Sequence, residues 1–251
     1  MMRVLTWTLA CVIFALTVVV VNKDDVAKWL IVNRVKFITG HAVSLDSASV
    51  DFGQSTLTVT NLQLQNPSPY RELIAAEVPY LSLTIDLRDL LRRRVHLTAL
   101  TIDMAQLVIE RRTDAAINIH TIRDIRNNRR AEILSAGGKS FIKSFQIDML
   151  ELKIDRVIFR DQMQGPSFSK IYPINLHERY QDITETESLI RLIVFQALTK
   201  TALDSLINFD LYNMKLGLSR ILNTAQNLLP GPIRKTTEMI QKPFKDLPLI
   251  P

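Results

Sequence analysis

Residues 43–50 read VSLDSASV, 57–64 LTVTNLQL, 95–102 VHLTALTI and, further along, 145–152 FQIDMLEL. Each alternates apolar and polar residues, skips one beat and resumes. Side chains of a strand point to opposite faces in turn, so alternation places one apolar row on one side of a sheet. The rest of the interval from Val43 to Ile109 behaves in the same way, with apolar rows Leu81/Leu83/Ile85, Val95/Leu97 and Leu107/Ile109 against mostly Ser, Thr, Asp, His and Gln. An extra residue in a period-two pattern is the mark of a β-bulge, which bends a strand and returns its apolar row to the same face. Repetition of the skip predicts a sheet curled into a trough.

Outward from this meander the chain has 251 residues and a formal charge of +6. Its length suits one sizeable domain with appendages, and its basic balance points to an anionic neighbour such as a phospholipid surface or nucleic acid. Val4 to Val21 carries no charge and only Thr6, Thr8 and Thr17 as polar residues. As a helix it would be about 27 Å long, enough to cross the hydrocarbon core of a bilayer. No small-x-small site follows Val21, so the segment reads as an anchor rather than a cleaved signal. Cys11, the single cysteine, lies inside it, which excludes an intramolecular disulfide and a cysteine-based zinc cluster.

The expected organisation is a transmembrane anchor over 1–22, an amphipathic linker helix over 23–40, a β-sheet domain over 41–182, helices over 183–229 and a proline-containing basic tail over 230–251. In the linker helix Val26, Trp29, Leu30, Asn33 and Phe37 share a stripe, with Trp29 at the membrane interface or over the first strands and Gly40 as the residue after its end. Asn66-Pro67-Ser68-Pro69 is a turn, and a strand is expected over Ile74–Ile85 with Pro79 marking an edge or an irregular start. Asp86 to Leu91 gives a short helix before Arg92-Arg93-Arg94, the densest basic run in the chain. Asn118–Arg130 reads as a basic helix, Gly137-Gly138 as a break, and Phe141–Leu152 and Lys153–Asp161 as a strand pair. A weaker strand over Ile171–Tyr180 precedes helices over Glu185–Ile207, capped by Thr184 with Glu187, and over Leu211–Leu228. The fold class is therefore α+β, with a curved, mainly antiparallel sheet.

Catalytic, cofactor and metal sites have no motif here. His41, His96, His120 and His177 lack both helical metal-ligand spacing and a neighbouring carboxylate, and read as surface or strand-edge residues. There is no phosphate-binding glycine loop and no Gly-x-Ser-x-Gly elbow. Asp46, Asp103 and Asp155 fit strand bends. The arginines at 123–130 lack the aromatics of a nucleic-acid surface. Two chemistries remain: the rows Leu81, Leu83, Ile85, Val95, Leu97, Leu107 and Ile109 as lipid contacts, and Arg92, Arg93 and Arg94 as head-group contacts.

Phe37-Ile38-Thr39-Gly40-His41-Ala42-Val43, Leu62-Gln63-Leu64-Gln65-Asn66-Pro67 and Val78 to Leu91 are followed by Leu100-Thr101-Ile102-Asp103, Leu107-Val108-Ile109-Glu110 and Ile117-Asn118-Ile119. In this order of weak motifs the chain resembles the AsmA-like family of bacterial envelope proteins over roughly residues 1–180. The resemblance implies a single-pass inner-membrane anchor, a periplasmic β-rich body and, in long members, a hydrophobic groove that carries phospholipid towards the outer membrane. It implies no enzyme and no cofactor, with membrane, phospholipid and other envelope proteins as partners. Two features stand against the fullest version. Lys23, Lys28, Arg34 and Lys36 after the anchor outnumber Arg3 before it, which by charge count places the body in the cytoplasm. Eight or so strands at about 4.8 Å spacing give a sheet only about 40 Å across, too short to bridge two membranes. The Asn66-Pro67 turn between alternating strands also looks like the water-hypersensitivity and late-embryogenesis-abundant sandwich domains, whose sheets close on a dry core and serve structure or interaction.

Overall fold

The computed structural model describes residues 22–39, 42–66, 68–119, 144–164, 168–201, 203 and 211–227. The expected anchor up to Val21, most of the basic helix over Asn118–Arg130, Gly40, Gly137-Gly138 and the tail lie outside these residues. Among the described residues no helix is long and apolar enough to cross a membrane.

The first described helix is α1 (Lys23–Thr39), whose first turn carries Asp24 and Asp25 and whose last carries Lys36. That arrangement complements the helix dipole. Ala27, Ile31 and Val32 pack on Leu45, Ala48 and Val59. Of the expected stripe, Trp29 is 65% exposed and Val26 and Leu30 are exposed too, so Trp29 does not cover the first strands, one of the two places expected for it. Apolar residues flank this helix on two sides, and the smaller ones fit the sheet more closely. Asp24 accepts the backbone N–H of Val50 at 2.8 Å, and Lys23 donates to the Val50 carbonyl. The Val50 hydrogen bond, with Lys23 assisting, holds the Asp24 carboxyl below its ordinary pKa.

Strands β1 (Val43–Ser44), β2 (Ser47–Asp51), β3 (Thr56–Gln65) and β4 (Ile74–Ile85) follow, then α2 (Leu87–Leu91), β5 (Arg94–Arg111), β6 (Ser144–Asp161) and β7 (Ser169–Ile183). Two helices, α3 (Thr186–Thr201) and α4 (Leu211–Asn223), precede a two-residue β8 (Gln226–Asn227). All eight strands form one sheet in the order β1-β3-β4-β5-β6-β7-β8, with β2 beside β3. Every pairing is antiparallel except β5 with β6, which run parallel. The protein is thus α+β with a mixed, mostly antiparallel sheet. The strand pair expected at Phe141–Leu152 and Lys153–Asp161 is a single 18-residue strand, because its apolar row skips a second time between Ile154 and Val157 instead of turning back.

The skips are matched between neighbours. Along β5 and β6 the register holds from Arg94↔Ser144 to Arg111↔Asp161, a constant offset of 50, although both buried rows skip at 97/100 and 147/150 and again at 104/107 and 154/157. One line of skips crosses β5 at Thr98-Ala99, β6 at Asp148-Met149 and β7 at Gln181-Asp182. A second runs from Asp46 through Asn61, Pro79, Ala105 and Asp155 towards Asn175. Asn61, Asn175 and Asp182 have positive φ, which Asn and Asp tolerate better than other side-chain-bearing residues. True register shifts occur only at Leu64/Gln65, Thr84/Ile85 and Ile154/Arg156. Bulges expected strand by strand are therefore mostly shared, and the ladder carries on because adjacent strands slip together. Pro79 is not on an edge: β4 lies between β3 and β5, and the proline falls where both ladders have a gap, so its missing N–H costs neither a hydrogen bond.

Helices α3 and α4 supply Leu192, Leu198 and Leu218, each fully buried, to the same cluster as Ile147, Leu150 and Leu152 of β6. Thr201 closes the last turn of α3 through hydroxyl bonds to the carbonyls of Ala197 and Leu198.

Candidate functional site

Register and burial together map the inner face of the sheet. One cross-strand row runs Leu57, Leu83, Leu100, Leu150 and Tyr180, and the next runs Val59, Leu81, Ile102, Leu152 and Glu178. A third runs Ile85, Leu97, Ile147 and Ile183. Burial is complete at β6 and at Val59 under α1, but Leu81, Leu83 and Ile85 on β4 are only half-buried. Val95 and Phe145 at the ends of β5 and β6 are half-buried as well. Of the seven residues expected to meet lipid, Leu97, Leu107 and Ile109 are buried in the core cluster that holds Leu150 and Leu152. The other four, Leu81, Leu83, Ile85 and Val95, line the incompletely covered strip between two helical flanks.

That strip ends at α2. Asp86 caps the helix by accepting the N–H groups of Arg88 at 2.8 Å and Asp89 at 3.3 Å, which hold its carboxyl below the usual range. Five residues cannot hide three leucines, so Leu87 and Leu90 are exposed and Leu91 is 89% exposed. Arg92, Arg93 and Arg94 follow directly, all exposed, with Arg92 at 3.8 Å from Asp89 and Arg93 at positive φ in the turn into β5.

Beneath this tip sits His96. Its Nδ1 is 3.0 Å from Asp89 and its Nε2 2.8 Å from Asp148, while Asp148 also accepts Gln146 Nε2 at 2.7 Å. An ionised carboxylate accepts and does not donate, so a carboxylate on each ring nitrogen favours the doubly protonated imidazolium form. Asp148 first, then Asp89, raise the His96 pKa above 6.5 against partial burial. Asp86, Asp89 and His96 offer ligand atoms within 4.8 Å of one another. With a carboxylate on each ring nitrogen, the arrangement ties α2 to β5 and β6. His96 was expected on a surface or an edge without a carboxylate nearby. It stands in an interior strand between two carboxylates, one of them 52 residues away.

The outer face is polar and internally balanced. His177 Nε2 lies 2.8 Å from Glu151, Arg179 lies 3.4 Å from the same carboxylate, and Lys153 lies 3.6 Å from Asp103. His177 before Arg179 lowers the Glu151 pKa. His177, too, has a carboxylate partner on a neighbouring strand. Asp155 sits exposed at its skip, and Asp46 accepts Asn61 Nδ2 at 2.6 Å where β1 gives way to β2.

Two buried polar groups had no sequence signal. Within the core the Tyr180 hydroxyl donates to Glu178 at 2.5 Å and accepts Gln196 Nε2 at 2.6 Å, tying β7 to α3. Burial, reinforced by Glu178, pushes the Tyr180 pKa far up. At the far end of β5, Glu110 accepts the N–H groups of Arg71 and Glu72 at 3.0 Å each and the Gln162 amide at 2.5 Å. Asn118 completes that node by accepting the Glu110 N–H and donating to Asn66 and Val108. Both clusters satisfy their own hydrogen bonds and fasten loops or helices to the sheet.

Neither a family model nor the sequence of a characterised protein matches the chain.

Proposed function

We propose that this chain is a non-enzymatic, single-pass cell-envelope protein of the AsmA-like type, with a periplasmic body whose sheet face binds or passes phospholipid in outer-membrane biogenesis. The observation that carries the reading is the half-buried strip Leu81/Leu83/Ile85 with Val95, set between covered flanks and ending beside Arg92, Arg93 and Arg94. Apolar side chains left half-covered favour an acyl chain by about 25 cal/mol per Å² of surface removed from water, and guanidinium groups favour a phosphate. Shared skips on adjacent strands bend the sheet along two lines, which in this reading turns the strip into a shallow trough. Other envelope proteins are the remaining partners, and neither a cofactor nor nucleic acid enters.

A second reading is favoured by the burial of Leu97, Leu107 and Ile109 and by the docking of α3 and α4. In it the face is a dry core and the body is a structural or interaction domain. A photocrosslinking amino acid at Leu83, compared with one at Ser82 on the opposite face, separates the two. Crosslinks to phospholipid at Leu83 and not at Ser82 are expected of a lipid carrier; none at either position establishes the interaction domain.

A further inference from the structure

The end of the sheet that carries α2 also receives the N-terminal segment. Lys23 and Asp24 clasp Val50, Val50 pairs with Leu57, Leu57 pairs with Leu83, and Ile85 N–H donates to the Ser55 carbonyl at 2.9 Å. The β2–β3 turn at that end exposes Phe52 to 56%. The charge-free run Val4–Val21 therefore enters the described body at the same end as Leu87, Leu90, Leu91 and the three arginines.

We infer that this end is a membrane-docking surface: the α2 tip inserts Leu87, Leu90 and Leu91 into the interfacial layer of an anionic phospholipid leaflet, and Arg92 to Arg94 contact its head groups. The inference rests on the reading of Val4–Val21 as a membrane anchor, which sets the orientation. Exposed leucines beside a basic run are the composition of an interfacial anchor, where buried apolar area and attraction to anionic lipid add. Another protein could cover the leucines, but three consecutive exposed arginines match a negative surface and not an apolar partner. Docking also has a geometric result. The half-covered row Leu81, Leu83, Ile85 leads straight into Leu87, so the strip would open at the bilayer rather than into water.

The test uses the full chain with Cys11→Ser in nanodiscs of phosphatidylcholine with or without phosphatidylglycerol. A nitrobenzoxadiazole probe is placed at Leu91→Cys, with Leu73→Cys, 75% exposed at the opposite end of β4, as the control. Blue-shifted emission and quenching by doxyl lipids are expected at position 91 and not at position 73. In phosphatidylglycerol discs, R92E/R93E/R94E should reduce the inserted-to-free ratio on the order of tenfold or more. Quenching at position 91 no greater than at position 73, or insertion indifferent to both lipid charge and the arginines, overturns the inference. Crosslinking at Leu83 in the same discs reads lipid carriage separately. Crosslinks retained without tip insertion remove docking alone, and insertion without crosslinks removes lipid carriage alone.

Discussion

His96 on β5 and Asp148 on β6 face each other across the one parallel pairing of the sheet, with the imidazole Nε2 2.8 Å from the carboxylate. Asp89 of α2 closes on the other ring nitrogen at 3.0 Å, so a single imidazole links the helix to both strands. The His96 pKa is raised above 6.5. Such a group contributes its full stabilisation below its unfolded pKa and loses it as pH climbs through the folded one. His96→Gln should cost about 1–2 kcal/mol at pH 6 and much less at pH 9. Thermal unfolding at the two pH values checks this; an equal loss at both would mean that the ring acts by packing alone.

Core and strip should respond differently to the same truncation. Leu152 is fully buried on β6, whereas Leu83 is half-buried on β4. Leu152→Ala is expected to cost about 2–5 kcal/mol and Leu83→Ala about 1 kcal/mol. Denaturant unfolding of the two variants measures the contrast. Comparable losses would show that the β4 row is as tightly covered as β6.

Asn61 has φ of 49° where the second line of skips crosses β3. A β-branched residue in the left-handed region pays about 1–2 kcal/mol, and the 2.6 Å hydrogen bond to Asp46 is lost as well. Asn61→Val should therefore destabilise clearly, while Asn61→Gly regains in backbone freedom part of what the lost side chain gave. Equal midpoints for the two variants in urea would mean that the conformation is not required.

The proposed topology places the C-terminal region outside the cytoplasm, against the charge count of the flanks. Alkaline phosphatase fused after Pro251 is expected to be active and a conventional fluorescent-protein fusion dark. The reverse pattern puts the body in the cytoplasm and ends the periplasmic reading.

Local pattern made much of this fold legible. The strand Ile74–Ile85 is observed with the expected limits, since alternation continues through Pro79 and stops at the helix-capping Asp86. Orientation of pairing was not legible: nothing in residues 94–111 or 144–161 distinguishes a parallel from an antiparallel neighbour. The break expected between Leu152 and Lys153 is not there: Leu150, Leu152 and Ile154 continue one buried row, and the skip comes later, between Ile154 and Val157. Which face of α1 meets the sheet was not legible either, because two of its faces are apolar and the smaller residues Ala27, Ile31 and Val32 make the contact. The His96 pin was hidden for a plainer reason, since its carboxylates belong to another helix and another strand. Arg92 to Arg94 and Leu81, Leu83, Ile85 and Val95 were visible as composition, but their adjacency to the chain's entry point depends on strand register.

The constant offset between β5 and β6 ties the lengths of two distant stretches of chain. Deleting one residue from either strand near a skip would turn every side chain beyond the cut inside out relative to its neighbour, placing Glu and Arg where Leu and Phe belong. A tolerated deletion in one would require a second, simultaneous deletion in the other. Residues 94–111 and 144–161 should therefore shorten or lengthen only as a couple.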